Sequence, residues 1–277
     1  MPELPEVETI KNDLRGLVLG HTVTAVDLRD PALVRHPEPT RFTARLEGQR
    51  LLDAQRKGKY LLLRLSSDDF LAIQLMITGQ FLLERPEDAV VANTRLILTL
   101  DDGRQLRLVD QNGYAKVSLV TTAETASVLG LDKLGPDPTS PDFTLAKLRG
   151  LLQGRRGRIK SLLLDQHVLA GLGNIYVDEA LFRARLHPAR SANSLDDAEV
   201  ARLYDAIRHV LLTGIAKRGT TIATYRDVLG RPGHNQEELR VFRRTGKPCP
   251  GCGGKVVATK LGGRDTYYCP ACQPKPD

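Results

Sequence analysis

Apolar residues near the start of the chain recur at three- and four-residue steps: Val7, Ile10, Leu14 and Leu17. That spacing lays one apolar stripe along a helix and predicts a helix from about Pro5 to Leu19. Beyond residue 22 the period shortens. Segments 22–28, 50–55, 60–65, 70–76, 94–100 and 105–109 are short, apolar and often alternating, which reads as strands. Asp101-Asp102-Gly103 joins two of them as a hairpin turn. Short strands at this spacing predict a sandwich or barrel. The pattern breaks at Leu134-Gly-Pro-Asp-Pro-Thr-Ser-Pro141, a rigid, turn-rich stretch and the expected domain boundary. Helical periodicity follows. Thr144 can cap a helix to about Gln153, and Ser194 can cap another whose buried stripe is Val200, Leu203, Ile207 and Leu211. A basic, glycine-containing loop is expected over 213–247. The predicted class is α+β.

Composition narrows this picture without deciding it. A chain of 277 residues with 41% hydrophobic content has room for two cored domains. A net charge of +7 suits a polyanionic partner such as nucleic acid, and equally an ordinary basic enzyme. No apolar run approaches the ~20 residues of a membrane span. The acidic, proline-bearing start is unlike a secretory signal, so a cytosolic protein is expected.

All four cysteines lie near the end, as Cys249-Pro-Gly-Cys252 and Cys269-Pro-Ala-Cys272. Two such knuckles supply the four thiolates of a tetrahedral zinc site with no open position, so one structural Zn²⁺ is expected. β-prone segments at 255–259 and 265–268 predict a zinc-ribbon hairpin that the metal keeps folded. Arg264 sits at its turn, in Leu-Gly-Gly-Arg-Asp, where a planar, always-charged fork suits a phosphate, a solvated turn arginine being the competing reading.

The chain opens Met-Pro-Glu-Leu-Pro-Glu-Val-Glu-Thr. Removal of Met1 exposes the secondary amine of Pro2 beside the Glu3 carboxylate. An α-amino group has a pKa near ~7.7–8.0, so a usable unprotonated fraction exists at neutral pH. Such an amine can attack an aldehyde carbon and form an iminium. A proline that merely opens a helix is the competing reading. Asn174 stands at a helix start after Gly171 and Gly173, a ready anion site and equally a plain cap. Arg155, Arg156, Arg158 and Lys160 form a basic cluster nearby, suited to contacts with a nucleic-acid backbone.

Taken together, Pro2–Thr9, Gln55-Arg-Lys-Gly-Lys-Tyr-Leu-Leu62, Gly171-Leu-Gly-Asn-Ile-Tyr176, Arg218-Gly-Thr-Thr221, the cysteine knuckles and Arg264 resemble the bacterial formamidopyrimidine-DNA glycosylase family. The resemblance runs end to end. It implies an N-terminal helix plus β-sandwich catalytic domain (1–134), a helix–two-turn–helix DNA-binding domain (142–235) and a C-terminal zinc finger (236–277). It also implies a bacterial enzyme of the cytoplasm and nucleoid that acts on double-stranded DNA carrying damaged bases or abasic sites; nothing in the sequence suggests obligate oligomerisation, so a monomer is expected. That enzyme excises oxidised purines and then cuts the strand. By the resemblance Pro2 is the nucleophile and Glu3 the acid. Lys59 is the lysine of the strand-start motif, with Lys57 a competing candidate, and Arg264 and Asn174 hold phosphate. Extrusion of a base needs a pocket and a wedge. Thr220, Thr221 and Tyr225 are the expected pocket lid.

The chain departs from the family in the wedge. Its Asp-Pro-Arg-Arg-Phe-Gly reads here as Asp110-Gln-Asn-Gly-Tyr-Ala115. Tyr114 stands for the phenylalanine, and the arginine falls on Gly113 or Asn112. The family methionine falls on Ile77, and a phosphate-contacting histidine falls near Asn93. Two other readings follow: an endonuclease VIII-like enzyme for oxidised pyrimidines, or an inactive protein that binds damaged DNA.

Overall fold

The first helix starts at Leu4, next to the expected Pro5. In the computed structural model, which describes residues 2–275, Glu3 is the N-cap of α1 (Leu4–Leu17). Pro5 falls in the first turn, where no N–H is required. Glu3 and Glu6 form a capping box in which the Glu3 N–H donates to Glu6 Oε2 at 2.8 Å.

Strands then dominate: β1 (Val23–Leu28), β2 (Val34–His36), β3 (Leu51–Lys57), β4 (Tyr60–Leu65), β5 (Phe70–Gln74), β6 (Gln80–Glu84), β7 (Thr94–Leu100), β8 (Gln105–Val109) and β9 (Lys116–Val120). Two short helices, α2 (Pro39–Leu46) and α3 (Glu124–Leu129), complete this part. The strands form a four-stranded sheet, β1-β7-β8-β6, and a five-stranded sheet, β2-β9-β5-β4-β3. Alternate side chains of both sheets share one core, including Leu61, Leu63, Ile73 and Val117 from one and Phe81, Leu96, Leu98 and Leu106 from the other. Ile10 and Leu14 of α1 join it. This is the expected sandwich, with period-2 alternation setting the inward faces.

Register places the functional tips. β4, β5 and β9 are antiparallel neighbours, with Leu61 opposite Ile73 and Gln74 opposite Lys116. The turn before β4, the loop after β5 and the loop before β9 therefore emerge at one end of the sheet.

The second half is helical, with α4 (Leu145–Leu152), α5 (Ile159–Leu164), α6 (Asn174–Ala184) and α7 (Asp197–Ala216), followed by the hairpin β10 (Val257–Leu261) and β11 (Arg264–Tyr268). Thr144 caps α4 as expected, its hydroxyl accepting the Lys147 N–H at 3.3 Å. Ser194 does not cap α7. Asp196 does so, through Oδ1 to the Glu199 N–H at 2.7 Å, and Glu199 Oε2 returns to the Asp196 N–H at 3.0 Å. The Ser194 hydroxyl instead donates to Ser191 O within a 3₁₀ turn.

The chain divides into two compact units, residues 1–133 with 215–236, and residues 134–214 with 237–277. No helix among the described residues is long and apolar enough to cross a membrane.

Candidate active site and zinc centre

In the first unit Pro2 and Glu3 are buried ahead of α1, and Glu3 is only 1% exposed. Met1 lies outside the described residues. The Glu6 carboxylate, also buried, serves two backbone amides. Its Oε2 takes the Glu3 N–H, and its Oε1 takes the Thr220 N–H at 2.7 Å. One side chain thus fixes both the catalytic candidate and the segment 217–236. Gly219, at φ +84°, makes this approach possible, since a Cβ there would lie 2.9 Å from Glu6 Cγ and 2.8 Å from Tyr225 Cε1. Glu6→Gln can present oxygen to only one amide. It is expected to cost ~1–3 kcal/mol for the orphaned N–H, and an unchanged melting temperature would refute this bridging role.

The rest of that segment is pinned by charge. Arg218 pairs with Asp13 at 2.7 Å and Asp227 at 2.5 Å, and Arg231 reaches Asp227 at 2.9 Å. Burial alone would raise the Asp227 pKa, but hydrogen bonds from Arg218 and Arg231 hold it below the usual carboxylate range. Tyr225, expected in a pocket lid, lies in the sandwich core instead, with its hydroxyl donating to Arg218 O at 3.1 Å. The Thr221 hydroxyl donates to Tyr225 O and accepts the Gly233 N–H, so it also serves the loop's own fold.

Lys59 sits in the two-residue turn Gly58-Lys59 that joins β3 to β4, and Lys57 is the exposed last residue of β3, paired with Tyr60. Gly58 has φ +58°, as a tight hairpin requires. Arg56 ties this turn to α1, donating to Gly58 O at 3.2 Å and to Glu8 Oε2 at 2.8 Å.

The two loops expected to carry the wedge are hydrogen-bonded at the base and apolar at the tip. Asp110, fully buried, accepts from the Thr78 hydroxyl, from the Ala115 N–H at 2.7 Å and from the Asn112 N–H at 3.3 Å. Ile77 is 45% exposed and Tyr114 53% exposed, on loops at the same sheet end. Gly113, at φ +67°, is exposed between Asn112 and Tyr114. Half-buried Asn93 accepts the Asp110 N–H through its carbonyl at 2.9 Å.

In the second unit Gly173 caps α6, and Asn174 is the first helical residue. Asn174 Nδ2 donates to Asp265 O at 2.8 Å, while its buried Oδ1 has no hydrogen-bond partner among the described residues. Arg155, Arg156 and Arg158 are exposed. Lys160 is not part of that solvent-facing cluster. It is 1% exposed, pairs with Asp178 at 2.6 Å and donates to Asp265 O at 2.9 Å. A cation so enclosed cannot meet a phosphate from solvent. Its place after Ile159, on the inner side of α5, turns it inward. Asp178 also accepts the Tyr267 N–H at 3.0 Å, and Glu179 accepts the N–H groups of Arg240, Val241 and Phe242. Neither acid stands out in the sequence motifs. Two adjacent carboxylates inside an otherwise apolar helix are the available signal.

Arg264 follows the Gly262-Gly263 turn, with φ +56° and +75°, and pairs with Leu261 as the first residue of β11. It is exposed, and the carbonyl of its neighbour Asp265 is the one held by Lys160 and Asn174.

The four cysteine sulfurs lie within 4.8 Å of one another. Cys249 and Cys272 are separated by 3.7 Å and Cys252 and Cys269 by 3.5 Å. Zn–S bonds of ~2.3 Å set tetrahedral edges near ~3.8 Å, so the cluster fits one zinc with no position left for substrate. Among the described residues the local core is small, with Val241, Val256 and the two buried cysteines at its centre and Phe182, Tyr267 and Cys272 packed against them, so the metal carries much of the module's folding. Chelating the zinc is expected to abolish the hairpin's amide protection from hydrogen exchange, and retained protection would show that the metal is dispensable.

Comparison with known proteins agrees with this architecture. The formamidopyrimidine-DNA glycosylase N-terminal domain matches residues 1–117, the corresponding H2TH domain residues 134–226, and the zinc finger found in FPG and IleRS residues 246–275. A formamidopyrimidine-DNA glycosylase of Heliobacterium modesticaldum is 46% identical over 99% of this chain and 100% of its own length. The MutM (FPG) protein of Thermus thermophilus superimposes with a TM-score of 0.89 at 42% identity, with both chains fully covered. Lactococcus lactis Fpg, solved with DNA containing an abasic site, gives 0.93 at 33% identity over 99% of this chain and 100% of its own. At that identity and coverage, the chain belongs to the formamidopyrimidine-DNA glycosylase family.

Proposed function

We propose that the chain is a bifunctional DNA glycosylase and abasic-site lyase of base excision repair, acting on oxidised purines in duplex DNA. The observation that carries this reading is the Pro2–Glu3 start, clamped by Glu6, in a chain similar over its full length to formamidopyrimidine-DNA glycosylases. The Pro2 nitrogen attacks C1′ of the damaged nucleotide and the base departs. Glu3 supplies the proton that opens the sugar ring, leaving a charged iminium. The iminium draws electrons from the C2′–H bond; loss of that proton expels the 3′ phosphate, and a second elimination expels the 5′ phosphate. Lys59 meets the reacting strand from the β3–β4 turn. Asn174 and Arg264 hold phosphate, and exposed Arg155 positions the backbone without reading sequence. Tyr114 and Gly113 stand at the vacated stack, and Asn93 at its edge.

In this reading chemistry belongs to 1–134, backbone grip to 142–235 and delivery of Arg264 to 236–277, with the difference that 215–236 packs into the first unit beside Glu6. The enzyme works as a monomer on the bacterial nucleoid. The Asn112-Gly113 departure favours one second reading, an endonuclease VIII-like preference for oxidised pyrimidines.

Mixing the protein with an abasic-site duplex and adding borohydride is expected to trap a covalent protein–DNA adduct. Absence of any adduct between about pH 6 and 8, around the amine's pKa, would leave only a DNA-binding protein. Duplexes carrying oxidised purines or pyrimidines then assign the lesion by relative cleavage rate.

A further inference from the structure

A recess of about 180 Å³ opens on the five-stranded sheet, lined by Arg35, Tyr60, Gln74, Lys116, Ser118 and Leu129, among others. It lies on the outer face. Leu61, Leu63, Ile73 and Val117 point into the core, so their strand neighbours Tyr60, Gln74, Lys116 and Ser118 point the other way. The end of α3 closes one wall, where the Tyr60 hydroxyl donates to Leu129 O at 3.2 Å.

The charges in this recess have one sign. Arg35 and Lys116 both line it, and none of the lining residues is acidic. Glu124, on the wall helix, is turned to His36 Nε2 at 3.6 Å and to the Thr121 N–H at 2.8 Å. Two like charges in a concave, partly apolar wall repel one another and focus a positive potential outward. The Gln74 amide and the Ser118 hydroxyl add neutral donors. At ~30 Å³ per water, the volume admits a phosphate with part of its hydration.

We propose that this recess binds a phosphate group through Arg35 and Lys116. Its place in the sheet says which phosphate comes first. Tyr60 follows Lys59, Gln74 precedes the loop that carries Ile77, and Lys116 follows Tyr114. The recess therefore sits at the sheet end that presents the candidate DNA-facing tips. A duplex engaged there brings a backbone phosphate to the recess, and this assignment rests on the function proposed above. Free inorganic phosphate is the other source of the same chemistry.

The test is the salt dependence of binding to an abasic-analogue duplex. Removing one neutralised phosphate from the interface makes the slope of log K against log salt shallower by about 0.9. Arg35→Gln/Lys116→Gln is expected to flatten the slope by about that much, whereas Arg41→Gln/Lys147→Gln, which removes the same charge from exposed positions, is expected to retain the wild-type slope. In parallel, inorganic phosphate is titrated while the Lys116 and Ser118 amide resonances are followed. Saturable shifts that vanish in the recess variant, with the DNA slope unchanged, assign the site to free phosphate. An unchanged slope together with unshifted amides, in proteins of wild-type melting temperature, overturns the proposal. Failure of the wild type to bind the duplex at all would instead overturn the DNA reading, and the phosphate titration still decides the site.

Discussion

Adding one residue ahead of Pro2 is expected to lower abasic-site cleavage by more than ~10³-fold, the order of loss when a covalent catalyst is removed. The extra residue converts a basic secondary amine into an amide nitrogen whose lone pair is delocalised into its carbonyl. No iminium can then form. The fold has little reason to respond. The Glu3–Glu6 capping box, the Thr220 contact and the apolar stripe of α1 all lie on the C-terminal side of the change. Melting temperature and duplex affinity should therefore stay near wild type while the borohydride adduct disappears. Cleavage within tenfold of wild type by a protein shown by mass spectrometry to carry the extra residue would dismiss Pro2 as nucleophile.

Lys160→Met should act on stability rather than on chemistry, and by ~3–5 kcal/mol, the usual cost of breaking a buried ion pair from one side. The substitution strands the Asp178 carboxylate and removes one of the two donors to Asp265 O. Burial already pushes Asp178 up to about 7, against the pull of Lys160 and the Tyr267 N–H. Without Lys160 that pKa rises further, so the folded variant takes up a proton that the unfolded chain has released. The deficit relative to wild type is then largest near pH 8 and shrinks as pH falls. Lys160→Met/Asp178→Asn should recover much of the loss, because the asparagine oxygen can still accept the Tyr267 N–H. Urea titrations near pH 8 and at about pH 6, either side of the Asp178 value of about 7, read this directly. A loss under ~1 kcal/mol, typical of an exposed pair, would mean that Lys160 is not held as described.

The parts legible in sequence are those written by short-range rules. Alternation locates β1, β3, β4, β5, β7 and β8, and three- and four-residue steps locate α1 and α7. The cysteine knuckles announce the metal. β2, with three residues and two basic side chains, is too short for periodicity to register. β6 and β9 follow turns that mask their alternation, and Asp196 caps α7 because it directly precedes the helix, while Ser194 is held in the 3₁₀ turn before it. Lys160 looks like part of a surface cluster because its partners, Asp178 and Asp265, are distant in sequence. Glu6 escapes notice for a simpler reason. The three-residue spacing from Glu3 is readable as a capping box, but its second acceptor role depends on a segment more than two hundred residues away.

That separation has a consequence for synthesis. The Glu6–Thr220 hydrogen bond spans 214 residues, and the first unit is assembled from both ends of that interval. At ~5–20 residues per second, a nascent chain waits on the order of 10–40 s before the segment that docks on Glu6 has been made. An incomplete polypeptide, stalled or truncated before residue 215, would present its amino terminus without the segment that Glu6 holds beside it.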